Sequence, residues 1–362
     1  MNSELKKIEE SYYHSLKHTS EWLKKSLNKG RGGSSAYFSP IIGWSKPYPE
    51  TTGYIIPTLI RFNYFFNEDY TEYANNLGNW LIKIQNSDGS WDGGLHPSSK
   101  SAPSIFNSCQ IIKGLVNLYK ETNNGIYIES AIKSGDYIKK QFGDNGLFIG
   151  NDYKTAITPS YYTTAIWPLL ELSSVTGDEE LEEKSILFLN KILERKMDNG
   201  FFSGCGFGAS KNAFTHTIAY TIRGFQECSR ILEINDYAEA CNESIEFFIK
   251  KSELTNGRLP GSFDESLNAA SDSVCLTGNS QFALIFFLHY EKDKDLRIIN
   301  SASKLINFVC NTQRKSLPFQ TKGGIAGSWP MYGRYMFMRY PNWAAKYHAD
   351  SLMNLIEIIR RF

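Results

Sequence analysis

Gln85-Asn86-Ser87-Asp88-Gly89-Ser90-Trp91 follows one segment of helical periodicity and precedes another, and its recurrence decides the fold. Degraded copies are Asp144-Asn145-Gly146-Leu147-Phe148, Asp198-Asn199-Gly200-Phe201-Phe202 and Asn256-Gly257-Arg258-Leu259. Gly324-Ile325-Ala326-Gly327-Ser328-Trp329 reads as a looser last copy. Asp or Asn before Gly supplies the left-handed backbone needed to leave a helix. The aromatic residue that follows plugs the gap between neighbouring units. A period of about 55 residues marks a helical-hairpin array, in which each hairpin buries its apolar face on the next.

Worked outward from that stretch, the chain repeats one two-helix grammar. Residues 11–28 read as a first amphipathic helix, with Tyr12, Leu16, Trp22, Leu23 and Leu27 near helical period. A second helix runs from Glu50 to about Phe66, nearly apolar all round, as an enclosed helix should be. Pro57 is expected within its first two turns, where a missing N–H does least harm. Charged outer helices follow at Tyr70–Gln85, Ile126–Phe142, Glu179–Lys196, Asp236–Lys251 and Lys294–Gln313. Greasier inner helices begin near Ile105, Tyr161, Phe214, Thr277 and Trp343. Six hairpins predict an all-α (α/α)6 toroid spanning residues 1–362 as one domain, because no polar-faced capping repeat ends an open superhelix.

The Gln85–Trp91 stretch resembles the QW repeat of squalene and triterpene cyclases, and the arrangement is similar to prenyltransferase repeats. It also resembles the six-hairpin toroids of glycosidases, sugar epimerases and lyases. Tyr48-Pro49-Glu50-Thr51-Thr52-Gly53-Tyr54 and Tyr340-Pro341-Asn342-Trp343-Ala344-Ala345-Lys346 are similar to segments of bacterial toroid proteins of surface-polysaccharide biosynthesis. Asp272-Ser273-Val274-Cys275 with His348 resembles the Asp/Cys…His zinc set of protein prenyltransferase β-subunits, although two residues separate Asp from Cys where that family has one.

In a toroid of this kind the inner helices are parallel, so their N-termini open together on one funnel. Helix N-termini favour anions. Expected lining residues are Glu50 and Tyr54, Gln110, Tyr162 and Trp167, then His216, Tyr220 and Arg223. Thr277, Asn279 and Gln281 follow from the fifth inner helix, and Trp343, Lys346 and Asp350 from the sixth. Trp44, Trp329 and Arg334 come from loops. His216, Tyr220 and Arg223 fall at i, i+4 and i+7, one face of one helix. A His that takes a proton, a Tyr that gives one and an Arg that holds a carboxylate make a proton-transfer site. Glycoside hydrolysis instead needs two carboxylates roughly 5–10 Å apart, for which Asp350, Asp272 and Asp264 are candidate partners of Glu50, Asp350 being taken first. Aromatic side chains around the funnel suit the faces of sugars, or a polyene.

The 362 residues carry a net charge of +1 without a basic block, which points away from nucleic acid. No apolar run approaches membrane-spanning length and residues 1–7 hold no apolar core of a leader, so a cytoplasmic protein is expected. Six irregularly spaced cysteines read as reduced, buried thiols. No phosphate-binding loop, dinucleotide fingerprint or Ser-His-Asp signature is present, and no cofactor or metal is expected. Three functions follow in order. The first is an acid/base enzyme on an anionic, uronate-type saccharide (epimerase, lyase or hydrolase) in surface-polysaccharide metabolism. The second is an isoprenoid-handling protein with zinc at Asp272, Cys275 and His348, and the third is a non-catalytic glycan-binding toroid.

Overall fold

The computed structural model describes residues 3–99, 101–150, 158–208, 210–316 and 318–361. Its helices in chain order are α1 (Ser3–Lys29), α2 (Pro49–Phe62), α3 (Thr71–Lys83), α4 (Ile105–Thr122), α5 (Gly125–Lys139), α6 (Thr163–Thr176), α7 (Glu179–Leu193), α8 (Thr215–Leu232), α9 (Asn235–Glu239), α10 (Asn242–Leu254), α11 (Leu276–Asp293), α12 (Leu296–Thr312) and α13 (Asn342–Ile359). The inner helices α2, α4, α6, α8, α11 and α13 pack each on the next, and α13 packs back on α2. That contact closes the ring, and the fold is the expected (α/α)6 toroid. No helix among the described residues is long and apolar enough to cross a membrane.

Three boundaries differ from expectation for local reasons. The first helix begins at Ser3, because residues 3–10 contain no helix breaker and mostly good helix formers. The second ends at Phe62, where the Asn63 side chain accepts the Tyr70 backbone N–H at 2.8 Å and donates to Thr71 Oγ1, folding the chain into a turn. The fifth outer helix is split into α9 and α10 by a turn at Ala240-Cys241. Pro57 lies in the third turn of α2, later than expected. Its missing N–H would have bonded the Gly53 carbonyl. That carbonyl faces Gly114 of α4, where a Cβ would lie only 2.2 Å from it. The absent side chain is what lets α2 and α4 approach so closely.

The recurring turn is a joint between one hairpin and the next outer helix. The Gln85 side-chain amide donates to the Gly89 and Ser130 carbonyls at 3.0 Å each, and the Ser130 hydroxyl donates back to Gln85 Oε1 at 2.8 Å. Gly89 has φ +92°, and a Cβ there would lie 2.2 Å from the Lys133 carbonyl of α5. Trp91 is fully buried, its indole N–H donating to the Leu81 carbonyl at 2.8 Å.

The last copy of the motif lies elsewhere than Gly324–Trp329. Gln313 repeats the bonding of Gln85: its amide donates to the Ser15 and Gly323 carbonyls, and the Ser15 hydroxyl donates to Gln313 Oε1 at 2.8 Å. Gly323 has φ +87° and sits against the His18 carbonyl of α1, as Gly89 sits against α5. Fully buried Ile325 follows two residues after that glycine, as Trp91 follows Gly89. A longer Gln-to-Gly spacing hid this copy in the sequence. It joins the last hairpin to the first, at the seam where the ring closes.

Short strands stitch the loops at one end of the ring. They are β1 (Tyr37–Ser39), β2 (Gly43–Trp44), β3 (Ala213–Phe214), β4 (Ser262–Phe263), β5 (Val274–Cys275), β6 (Ser328–Trp329) and β7 (Tyr340–Pro341). They pair antiparallel as β2-β1-β7, β3-β4 and β5-β6. Each pairing fixes chain that leads directly into an inner helix. Asn342 adds to this by donating to Ser34 Oγ, the Ser35 carbonyl and Thr51 Oγ1, which ties the start of α13 to that of α2.

Candidate active site

A cavity of about 890 Å³ opens at the N-terminal ends of the inner helices. Its wall takes Glu50 and Tyr54 from α2, Phe106 and Asn107 from α4, Tyr161 from the turn before α6, His216 and Tyr220 from α8, and Trp343 from α13. The loop before α13 contributes Arg334, Tyr335, Phe337 and Arg339. Glu50 is the one carboxylate among the described lining residues. In ring order α2 and α8 are three helices apart whichever way the ring is followed. Glu50 and His216, at the starts of these two helices, therefore stand on opposite sides of the funnel.

His216 is buried, its Nδ1 2.7 Å from Gln281 Oε1 of α11 and its ring 4.3 Å from Tyr220 and 5.2 Å from Tyr335. Burial pushes its pKa down to about 4, against a smaller opposing effect of Gln281, so the imidazole is neutral at pH 7. Burial, reinforced by the Glu50 carboxylate, pushes the Tyr54 hydroxyl well up. Tyr220 is shifted the same way by burial and by neighbouring Tyr347 and Tyr54, with Glu50 contributing less. These phenols stay protonated and can donate hydrogen bonds. Tyr347 donates to the Tyr220 hydroxyl at 3.2 Å. Trp343 donates its indole N–H to Tyr335 at 2.9 Å, which holds the loop against α13.

Of the residues expected at the site, Glu50, Tyr54, His216, Tyr220, Arg334 and Trp343 meet at this cavity. The others do not line it. Tyr162 is fully buried against Phe106, Phe148 and Tyr161. Gln110 spends its amide on the Thr164 carbonyl, bridging α4 and α6. Trp44 packs on Trp22 and Phe38, and Trp329 on Phe308 with Arg258 over its ring. Trp167, Arg223, Lys346 and Asp350 project one to two turns further along their helices, into an axial plug of charge. There Lys346 pairs with Asp350 at 2.8 Å, Arg223 pairs with Glu227, and Lys113 lies over the Trp167 ring. Thr58 also donates to Asp350 at 2.8 Å, so the expected partner of Glu50 is engaged below the cavity.

Phe207 and Phe214 line the cavity without having been singled out, as do Tyr137 and Gln141 from the outer layer. Phe207 lies inside Gly204–Gly208, which reads in sequence only as a loop. Tyr137 and Gln141 belong to an outer hairpin arm and carry no signal of the funnel. Thr277, Asn279 and Gln281 of α11 stand outside the lining.

The expected zinc set is not assembled. Cys275 Sγ caps α11 by accepting the Gly278 N–H at 3.4 Å, whereas His348 Nε2 meets Ser15 Oγ at 3.1 Å and Cys310 Sγ at 3.8 Å. Among the described residues no three His, Cys, Asp or Glu side chains are grouped to hold a metal ion.

Acid is expected to destabilise the fold through its buried histidines. His216 and His348, pushed down by burial to about 4 and about 3, bind protons far less readily than they do in the unfolded chain near 6.5. Stability therefore falls as pH drops below 6.5, until the folded-state values are reached. At pH 4.5 each costs about 2–3 kcal/mol. Urea midpoints at pH 7.5 and 4.5 measure the loss. The account fails if His216→Asn leaves the difference unchanged.

No family model matches the chain, and no curated protein matches it in sequence. Solved structures do match in fold. An unsaturated glucuronyl hydrolase specific for heparin superposes with TM-score 0.77 at 12% identity, covering 98% of each chain. Cellobiose 2-epimerase from Bacillus thermoamylovorans gives 0.76 at 16% identity over 100% of both chains. A GH76 α-mannanase from Bacteroides thetaiotaomicron gives 0.65 at 18% identity, covering 97% of this chain and 96% of its own. The chain is an (α/α)6 toroid of the kind these proteins share.

Proposed function

We propose that the protein is a carbohydrate-active enzyme that moves a proton on an anionic, uronate-type saccharide, within bacterial surface-polysaccharide metabolism. The observation that carries this is the placement of Glu50 and His216 on opposed inner helices, facing across one aromatic-walled cavity. Removing a proton from one face of a sugar ring and returning one from the other needs a proton-transfer group on each side. His216 takes a proton at Nε2, and Glu50, entering the reaction as the carboxylic acid, returns one from the opposite face. Tyr220 and Tyr335 donate hydrogen bonds to sugar oxygens, and Trp343 and Phe337 offer surfaces for the ring. Arg334 and Arg339 supply the cations for the carboxylate. The single described carboxylate in the lining supports epimerisation or elimination over hydrolysis by two carboxylates. The toroid neighbours named for glucuronyl hydrolysis and cellobiose epimerisation lend support at the level of fold.

The test is incubation with uronate-bearing oligosaccharides in D2O. Deuterium entering C5 of the product marks epimerisation, and a 4,5-unsaturated uronate end marks elimination; one of the two is expected. Cleavage with neither would replace this reading with hydrolysis, and turnover confined to neutral sugars would remove the uronate.

A further inference from the structure

The inner helix α11 gives no side chain to the described cavity lining, yet Gln281 reaches the site from it. Gln281 is buried and lies outside the lining, and its Oε1 meets His216 Nδ1 at 2.7 Å. The approach is built into the backbone. At Gly278, one turn earlier, a Cβ would lie 2.9 Å from the His216 nitrogen and from Thr215, so only glycine lets the first turns of α11 and α8 abut at this level. Asn279 anchors the same turn by donating to the Gly257 carbonyl at 2.6 Å. The His216 ring is otherwise flanked by the aromatic rings of Tyr220 and Tyr335.

We propose that Gln281 is the positioning residue of His216, locking the Nδ1–H tautomer and thereby presenting a bare Nε2 to the cavity. An amide oxygen can only accept, so Nδ1 must carry the proton and Nε2 must hold the lone pair. Because the partner is an amide and not a carboxylate, it orients the ring while favouring the imidazolium less than a carboxylate would. The inference rests on His216 being the proton acceptor of the proposed reaction, but its structural half can be read without any substrate.

Nitrogen-15 NMR of the imidazoles provides that reading, with the His216 signal among six histidines identified by its loss in His216→Asn. In the wild type the Nδ1 should be protonated and Nε2 bare. Gln281→Leu should release the tautomer, and with an active saccharide lower kcat roughly 100-fold while KM changes little. Gln281→Glu keeps the bond and places a carboxylate on Nδ1, so it should raise the pH at which His216 titrates by about 1–3 pH units and restore turnover towards wild type. An unchanged tautomer in Gln281→Leu, or an unmoved titration in folded Gln281→Glu, would overturn the assignment. If the spectra change as expected but no uronate is turned over, the proposed function fails and the role of Gln281 in holding His216 stands.

Discussion

Glu50→Gln should lower turnover by about 10²–10⁴-fold while leaving ligand affinity within a few-fold of wild type, and His216→Asn should do the same. The reasoning is geometric first. Both side chains border the cavity from opposed helices, and each substitution keeps a polar group in place while removing the ability to exchange a proton. The variants should be non-additive, because a reaction needing a proton group on each face is already crippled by the loss of one. A purely structural Glu50 predicts something else. A carboxylate in the first turn of α2 stabilises the helix dipole by about 0.3–1 kcal/mol, so Glu50→Gln would then shift the melting temperature and spare kcat. Calorimetric binding alongside kcat separates the two, and full turnover in both variants would place the chemistry elsewhere.

The toroid was legible in the sequence because its joints are local. A helix leaving through Asn-Gly or Asp-Gly announces itself within a few residues, and the alternation of charged and greasy helices follows from which layer meets water. Half of the site was legible for a related reason. Glu50, Tyr54, His216, Tyr220 and Trp343 occupy the first two turns of inner helices, and those turns must face the funnel once the ring closes. What failed was depth. Arg223, Lys346 and Asp350 share helix faces with true lining residues, yet about 1.5 Å of rise per residue carries them below the cavity floor, where Arg223 pairs with Glu227 and Lys346 with Asp350. Periodicity reports the face of a helix and says nothing of where a cavity ends. Trp44 and Trp329 failed differently, since the two-residue strands that hold them are too short to show a period.

Trp91→Ala should cost about 3–5 kcal/mol, whereas Trp329→Ala, from a stretch that looks alike in sequence, should cost about 1 kcal/mol. Gly89-Ser90-Trp91 and Gly327-Ser328-Trp329 share spelling but not environment: the first indole is 0% exposed, the second 37%. Trp91 fills the joint between hairpins and donates to the Leu81 carbonyl, which also accepts the Ile84 N–H, so truncation leaves a cavity and removes one of that carbonyl's two hydrogen bonds. The damage should also reach the site. The Trp91 N–H donates to Ser108 Oγ, its carbonyl accepts the Ser104 N–H, and the next carbonyl, of Asp92, accepts from Asn107 in the cavity wall. A turn that looks purely architectural thus sets the first turn of α4. Urea denaturation of the two variants measures the difference, and equal losses would mean that the buried joint adds nothing beyond surface packing. Ligand affinity adds a second reading: folded Trp91→Phe should bind more weakly than Trp329→Ala, because only the first perturbs the chain that holds Asn107.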